Sequence, residues 1–358
     1  MDHNYNLDFL QVTESAALAV ARWVGKGDHN SADQAACEAM RRVLNEMEMQ
    51  GTIVIGEGER DEAPMLFIGE KVGTNEGDEV QIAVDPLEGT NLCANGTPNA
   101  ISVLAATIKG CGHLMHAPDC YMEKLVVGQE CIGVVDITLP PRVNTMLMAK
   151  ALGKNIDELT IGILDRPRHK ELIEEIRSAG ARVHLVPDGD LSVAIAALDP
   201  DSGVDGLMGI GGAPEGVISA AAVLCYGGEM QARLQFTSEE QRKRAEQMMD
   251  GNINKVFHTE DLASGDVIFA ATGITTGDLL RGVRYKRGYA LTESIVMNSS
   301  TGIIRRIETT HRYSSPQGYR LPFHSQKIAE LAPFAENDSI SARVKTHHKV
   351  DLPQAHHT

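Results

Sequence analysis

Three strand-like runs in this chain each end in a loop of glycines and carboxylates, and this limits what it can fold into more than any other feature. Residues 52–55 read as a strand running into Gly56-Glu57-Gly58-Glu59-Arg60-Asp61-Glu62. Val80, Ile82 and Val84 alternate as a second strand ending at Asp85, followed by Pro86-Leu87-Glu88-Gly89-Thr90. Residues 206–210 read as a third, leading into Gly211-Gly212-Ala213-Pro214-Glu215. Loops at strand carboxyl ends are where α/β sheets gather ligands, so these acids are predicted to converge.

The segments between supply helices. Leu10, Ala17, Leu18, Ala21 and Val24 recur at helical spacing, predicting a helix over 8–24 that Gly25 and Gly27 stop. A second helix is predicted over 31–49, capped by Asn30 or Ser31, with Asp33 in its first turn and Ala36, Met40, Val43, Leu44 and Met47 on its apolar face. Residues 101–108 read as strand. After a polar stretch at 152–159, strand (160–164), helix (170–179), strand (182–186) and helix (191–198) alternate, and the alanine-rich 216–224 is a further helix. A charged helix over 238–250 and strands over 267–271 and 302–308 complete the pattern. Such alternation means α/β layers. With 358 residues, the expected division is an N-terminal α/β domain over 1–157, a C-terminal one over 158–336, and a polar, mobile tail over 337–358.

Charge narrows the chemistry. Lys and Arg total 33 against 49 Asp and Glu, a net charge of −16. So anionic a surface repels a phosphate backbone and excludes a general nucleic-acid binder. It repels small phosphorylated metabolites as well, unless metal ions or a local arginine cluster reverse the sign at one place. The N-terminal MDHNYNLD has no basic region leading an apolar core, and no apolar run approaches the ~18 residues a bilayer requires. Six cysteines scattered without a CxxC suit a reducing compartment. The expectation is a cytoplasmic protein with no membrane partner.

Each acid taken singly reads as a turn former or a helix-dipole partner. Together, Glu57, Glu59, Asp61, Asp85, Glu88 and Glu215 would repel one another unless cations held them, and hard ions such as Mg²⁺ or Mn²⁺ take such oxygens. In Asp85-Pro86-Leu87-Glu88-Gly89-Thr90, Pro86 fixes a turn that lets Asp85 and Glu88 point the same way, Gly89 frees backbone amides, and Thr90 offers a hydroxyl to orient water. This is the chemistry of phosphate-ester hydrolysis assisted by two ions about 3.5–4 Å apart.

These residues carry a resemblance. DPLEGT resembles the DPxDGT signature of the lithium-sensitive, Mg²⁺-dependent sugar and inositol phosphatases. GDHNSADQAA, TIVIGEGERDEAPML, AVDPLEGT, APDCYMEKL, RPRH, PDGD and GIGGAPEG, in that order along nearly the whole chain, resemble the class II fructose-1,6-bisphosphatases. More narrowly they resemble the bifunctional fructose-1,6-/sedoheptulose-1,7-bisphosphatases of cyanobacteria. The resemblance implies a layered α-β-α-β-α sandwich that removes the C1 phosphate from the two sugar bisphosphates, in the Calvin cycle and gluconeogenesis. Two or more Mg²⁺ or Mn²⁺ ions would bind, one through Asp33 and Glu57, the other through Asp85, Glu88 and Glu215. Glu88, Gly89 and Thr90 would also touch substrate, and Tyr121, Arg166-Pro167-Arg168, Asp188-Gly189-Asp190 and Gly212 would line the sugar-phosphate pocket.

Asp61 with Thr90 is the reading adopted for positioning the attacking water, with Glu59 the competitor. Arg166 and Arg168, straddling a proline, are expected to form a compact fork for phosphate oxygens. The family also implies a homotetramer inhibited by AMP. Two departures from the wider superfamily stand out: Glu88 replaces its usual Asp, and the WDxAA motif is absent, with Glu215 substituting for its ligand. The rival readings are an inositol or phosphoadenosine phosphatase and a non-catalytic sugar-phosphate sensor. A sensor has no need of a water-orienting Thr90.

Other motifs fail. Gly56-x-Gly58 and Gly209-x-Gly211 lack the third glycine of a dinucleotide fingerprint, and no P-loop is present. Cys111, His113, His116 and Cys120 match no standard zinc spacing.

Overall fold

Helix α1 (Asn6–Val20) and helix α2 (His29–Glu46) open the chain in the computed structural model, which describes residues 5–58, 65–249 and 252–312. The candidate catalytic residues Glu59 and Asp61, and the tail over 337–358, lie outside the described residues. α1 ends four residues before the expected stop at 24, and Gly25 then takes a φ of 72°. α2 starts earlier than expected because its cap is Asp28, whose carboxylate accepts from the Ser31 amide at 3.0 Å; neither Asn30 nor Ser31 caps it.

Strands β1 (Met49–Ile55), β2 (Lys71–Val72) and β3 (Asp78–Glu88) follow, then the short helix α3 (Thr90–Asn95) and β4 (Ile101–Ile108). β3 carries strand geometry through Asp85-Pro86-Leu87-Glu88, its pairing with β4 skipping between Asp85 and Glu88. The expected loop after Asp85 is therefore a bulged strand end, a device that re-aims side chains. Next come β5 (Gly112–Leu114), β6 (Tyr121–Val127), α4 (Pro141–Ala151), β7 (Thr160–Leu164), α5 (Lys170–Ala179), β8 (Arg182–Val186) and α6 (Asp190–Ala196). β9 (Gly206–Gly212) runs straight into α7 (Ala213–Tyr226), followed by β10 (Glu229–Gln235), α8 (Glu239–Met248), β11 (Phe257–His258), α9 (Thr259–Leu262) and β12 (Ala263–Gly265). β13 (Ile268–Gly273), β14 (Arg284–Lys286), β15 (Tyr289–Asn298) and β16 (Ile303–Arg312) end the described chain.

Among the described residues these strands make two large sheets. The first runs β14-β15-β13-β4-β3-β1-β2, with β16 added alongside β15; the second runs β11-β10-β6-β9-β7-β8. The chain thus builds part of the first sheet, then the second, and returns to finish the first. Position 157 falls between β6 and β7 of the second sheet.

Side-chain alternation makes the layers. On β4, Leu104 and Ala106 face α1 and α2, while Val103 and Ala105 face the interior. Tyr5, Phe9, Val12, Met40 and Leu44 of the first helical layer cover Ile53, Ile82 and Val84. α7 lies in the middle layer, packing Val217, Ala220, Ala221 and Val223 with Val103, Phe269 and Ile295 of the first sheet and Met122, Leu207 and Met230 of the second. A helix apolar all round belongs between two sheets, and its alanines admit both closely. On the outer face of the second sheet, Met148 of α4 and Ile173 and Ile176 of α5 cover Leu125, Ile161 and Ile163. The order is α-β-α-β-α, as expected. No helix of the described residues is long and apolar enough to cross a membrane.

Candidate active site

The strand ends deliver the acids to one place. A cavity of about 460 Å³ is lined by Asp33 of α2, Glu57 after β1, Asp85 and Glu88 at the end of β3, Gly89, Thr90 and Asn91 at the start of α3, and Glu215 of α7. Asp119, Asp188, Arg244 and Met248 also line it. All five predicted metal ligands are therefore brought together from four separate segments.

Local geometry sets each one. Gly89 takes a φ of 86°, where a Cβ would lie 2.7 Å from Leu92 Cδ1, and so turns β3 sharply into α3. Thr90 then donates its hydroxyl to Asp33 Oδ1 at 2.9 Å, tying α3 to α2. The Leu87 amide donates to Asp85 Oδ1 at 3.1 Å, and the Asp85 and Glu88 carboxyls are hydrogen-bonded to each other. Glu88 Oε1 accepts from the Leu191 amide at 3.2 Å. At the β9–α7 corner a Cβ on Gly212 would fall 1.8 Å from Glu215 Oε2, so only glycine leaves that carboxylate its place.

The electrostatics are those of carboxyls buried together. Burial, with the charge of Asp33 adding to it, pushes Glu57 up to about 7, although much of the residue's own surface faces solvent. Burial likewise raises Glu88 to about 7. Asp85 is driven well above the carboxylate range by burial and then by Glu88. Glu215 is raised by burial against the opposing charge of Lys124, and Asp33 is raised by burial against its bond from Thr90. Glu215 Oε2 is buried with no hydrogen-bond partner. An oxygen-only donor set with an orphaned, buried carboxylate oxygen fits a hard divalent cation. The acids line one cavity without closing into a cage: no three His, Cys, Asp or Glu side chains among the described residues stand in metal-holding geometry.

The predicted sugar-phosphate residues divide. Asp188 lines the acid cavity, accepting from Asn91 Nδ2 at 3.0 Å and from Arg166 Nη2 at 3.0 Å. Arg166 also donates to the Pro187 carbonyl. Arg168 donates to the Ile210 carbonyl at 3.2 and 2.6 Å and stacks 5.0 Å above the Tyr121 ring centre. The two arginines are thus bound to different partners and do not make the expected fork. Arg168 lines a second cavity, also of about 460 Å³, with Glu123, His169, Glu171 and Arg233. Asp190 is 7 % exposed, paired with Lys124 at 2.8 Å, and outside the acid cavity's lining. Tyr121, Pro167, Gly189 and Gly212 lie outside the acid cavity's lining, Gly212 acting through Glu215.

Sequence reasoning missed Asn91, Asp119, Lys124 and Arg244. Asp119 and Lys124 sit inside the APDCYMEKL segment that carried part of the resemblance. Arg244 lies among the alternating charges of α8, where nothing distinguishes it from a solvated arginine. The Cys/His group at 111–120 makes no metal cage, and all six cysteines are free thiols.

A layered α/β sandwich with acids gathered at strand ends is a scaffold shared by many hydrolases, and comparison with known proteins specifies which. The model of the family described as bacterial fructose-1,6-bisphosphatase, glpX-encoded, matches residues 3–311, and the chain belongs to that family. It is 47 % identical over 348 residues to the D-fructose 1,6-bisphosphatase class 2/sedoheptulose 1,7-bisphosphatase of Synechococcus sp. (strain JA-2-3B'a(2-13)), covering 90 % of this chain and 100 % of that one. It is 50 % identical over 318 residues to fructose-1,6-bisphosphatase 1 class 2 of Escherichia coli (strain K12), covering 85 % of this chain and 94 % of that one.

Proposed function

We propose that this protein hydrolyses the C1 phosphate of fructose 1,6-bisphosphate, and the corresponding phosphate of sedoheptulose 1,7-bisphosphate, with Mg²⁺ or Mn²⁺ held by Asp33, Glu57, Asp85, Glu88 and Glu215. The observation that carries this is the convergence of those five carboxylates on one cavity, with Glu215 Oε2 buried and unpartnered. Divalent cations there supply the positive charge and Lewis acidity that attack on a phosphate ester requires. The chain's own contribution is orientation. Thr90 holds Asp33 by its hydroxyl and, with Asp61, positions the attacking water; Glu59 competes with Asp61 for that role. Asp188, braced by Arg166 and Asn91, receives sugar hydroxyls at the cavity wall, and Arg168 over Tyr121 holds the phosphate remote from the reaction.

The same reading makes the protein a cytoplasmic homotetramer inhibited by AMP. It is tested by phosphate release from both bisphosphates and from inositol monophosphate, with and without chelator and AMP. Release from the sugar bisphosphates that chelator abolishes is the expected result. Release from inositol monophosphate alone, or tight bisphosphate binding without hydrolysis in Mn²⁺, overturns the reading.

A further inference from the structure

Lys124 stands where a core residue belongs. On β6 it shares a face with Met122 and Val126, which point into the middle layer, and it is 1 % exposed. A lysine is almost never so buried unless paired. Its Nζ donates to Asp190 Oδ2 at 2.8 Å, with the two side chains 0 % and 8 % exposed. Room for the pair comes from absent side chains: a Cβ on Gly211 would lie 2.0 Å from Asp190 Oδ2 and 3.0 Å from Lys124 Nζ, and one on Gly216 3.3 Å from Lys124 Cε.

Both ends of the pair lead to the carboxylate cluster. Asp190 opens α6, and the next amide, that of Leu191, donates to Glu88 Oε1 at 3.2 Å. Gly211 and Gly216 bracket the corner from which Glu215 projects. Neutral or apolar side chains of similar volume usually fill such a place at no cost in stability. Stability therefore does not account for an ion pair here, whereas a fixed direction does.

We propose that Lys124 is a positioning residue for the carboxylate cluster: by pairing with Asp190 it fixes the start of α6, which holds Glu88, against the β9–α7 corner, which holds Glu215. This rests on the reading of the cluster as a divalent-cation site. Hydrogen-bonded partners behind ligating groups typically carry 10–100-fold of metal affinity.

The test uses the full chain with K124M and D190N together, which keeps the volume and removes both charges at once. Melting temperature is measured without divalent cations, and Mn²⁺ affinity by calorimetry without substrate, where any contact of Asp190 with sugar is silent. The expected result is a melting temperature at or above that of the wild type, with Mn²⁺ bound at least ~10-fold more weakly. Gly211→Ala reaches the pair from the other side, displacing Asp190 without altering any charge, and is expected to weaken Mn²⁺ binding similarly. Wild-type Mn²⁺ affinity in either folded variant overturns the proposal and leaves the cation site standing. A wild-type protein that binds no Mn²⁺ overturns both.

Discussion

Asp85 and Glu57 are carboxyls whose burial disfavours their charged forms, and replacing either by its amide should separate function from stability. Asp85→Asn and Glu57→Gln are expected to lower phosphate release by ~100-fold or more. With chelator at pH 8, their melting temperatures should match or exceed that of the wild type. A variant with near-normal turnover would refute the ligand assignment. Thr90→Ala, which loses the hydroxyl bonded to Asp33, should cost on the order of 10²–10⁴-fold in kcat. Most of these residues were legible because carboxylates and glycines crowd the ends of strand-like runs. Lys124 was not: its burial depends on its strand, and Glu123 and Lys124 side by side masked that strand's period.

At the scale of elements, the β9–α7 corner decides most. Strand pairing continues through Gly212, opposite Tyr121, so the glycines read as a loop are the last rungs of a ladder. Gly212→Ala would set a Cβ 1.8 Å from Glu215 Oε2. It is expected to leave the far-ultraviolet circular dichroism unchanged and to weaken Mn²⁺ binding ~10-fold; unchanged affinity would show that Glu215 does not ligate. β7, α5 and β8 fall where their periodicity predicts, at 160–164, 170–179 and 182–186. β6, β10, β15 and α4 did not show in the sequence. On β15 the reason is physical: Thr292 and Ser294, both 0 % exposed, are satisfied by Glu14 and Thr272 rather than by water, so the polar positions are buried too.

For the whole molecule, the cluster couples folding to pH and, on the proposed reading, to divalent cations. Glu57 and Glu88 sit at about 7 in the folded protein against 4.5 ordinarily, so the fold favours their protonated forms. Without cations, their contribution is fully present below about pH 4.5 and is lost as pH rises through about 7. The chelated protein should therefore melt several degrees lower at pH 8 than at pH 5.5, and Mg²⁺ or Mn²⁺ should raise the melting temperature most at pH 8. Equal melting temperatures in chelator at the two values would show that folding does not desolvate these carboxyls. A net charge of −16 lends no help to an anionic substrate, so on the proposed reading bound cations would act on recruitment as well as on stability.

The sequence by itself determined the layers, the family and the acids, because each is written in short range: hydrophobic period, glycine beside carboxylate, strand next to helix. Only the tertiary structure decided which arginine meets which partner, that Asp28 caps α2, and that a lysine lies in the middle layer. The arginine and lysine partners lie tens of positions away, at distances that packing sets and no local pattern records, while Asp28 is selected over its neighbours by its extended backbone, which residue type alone does not reveal.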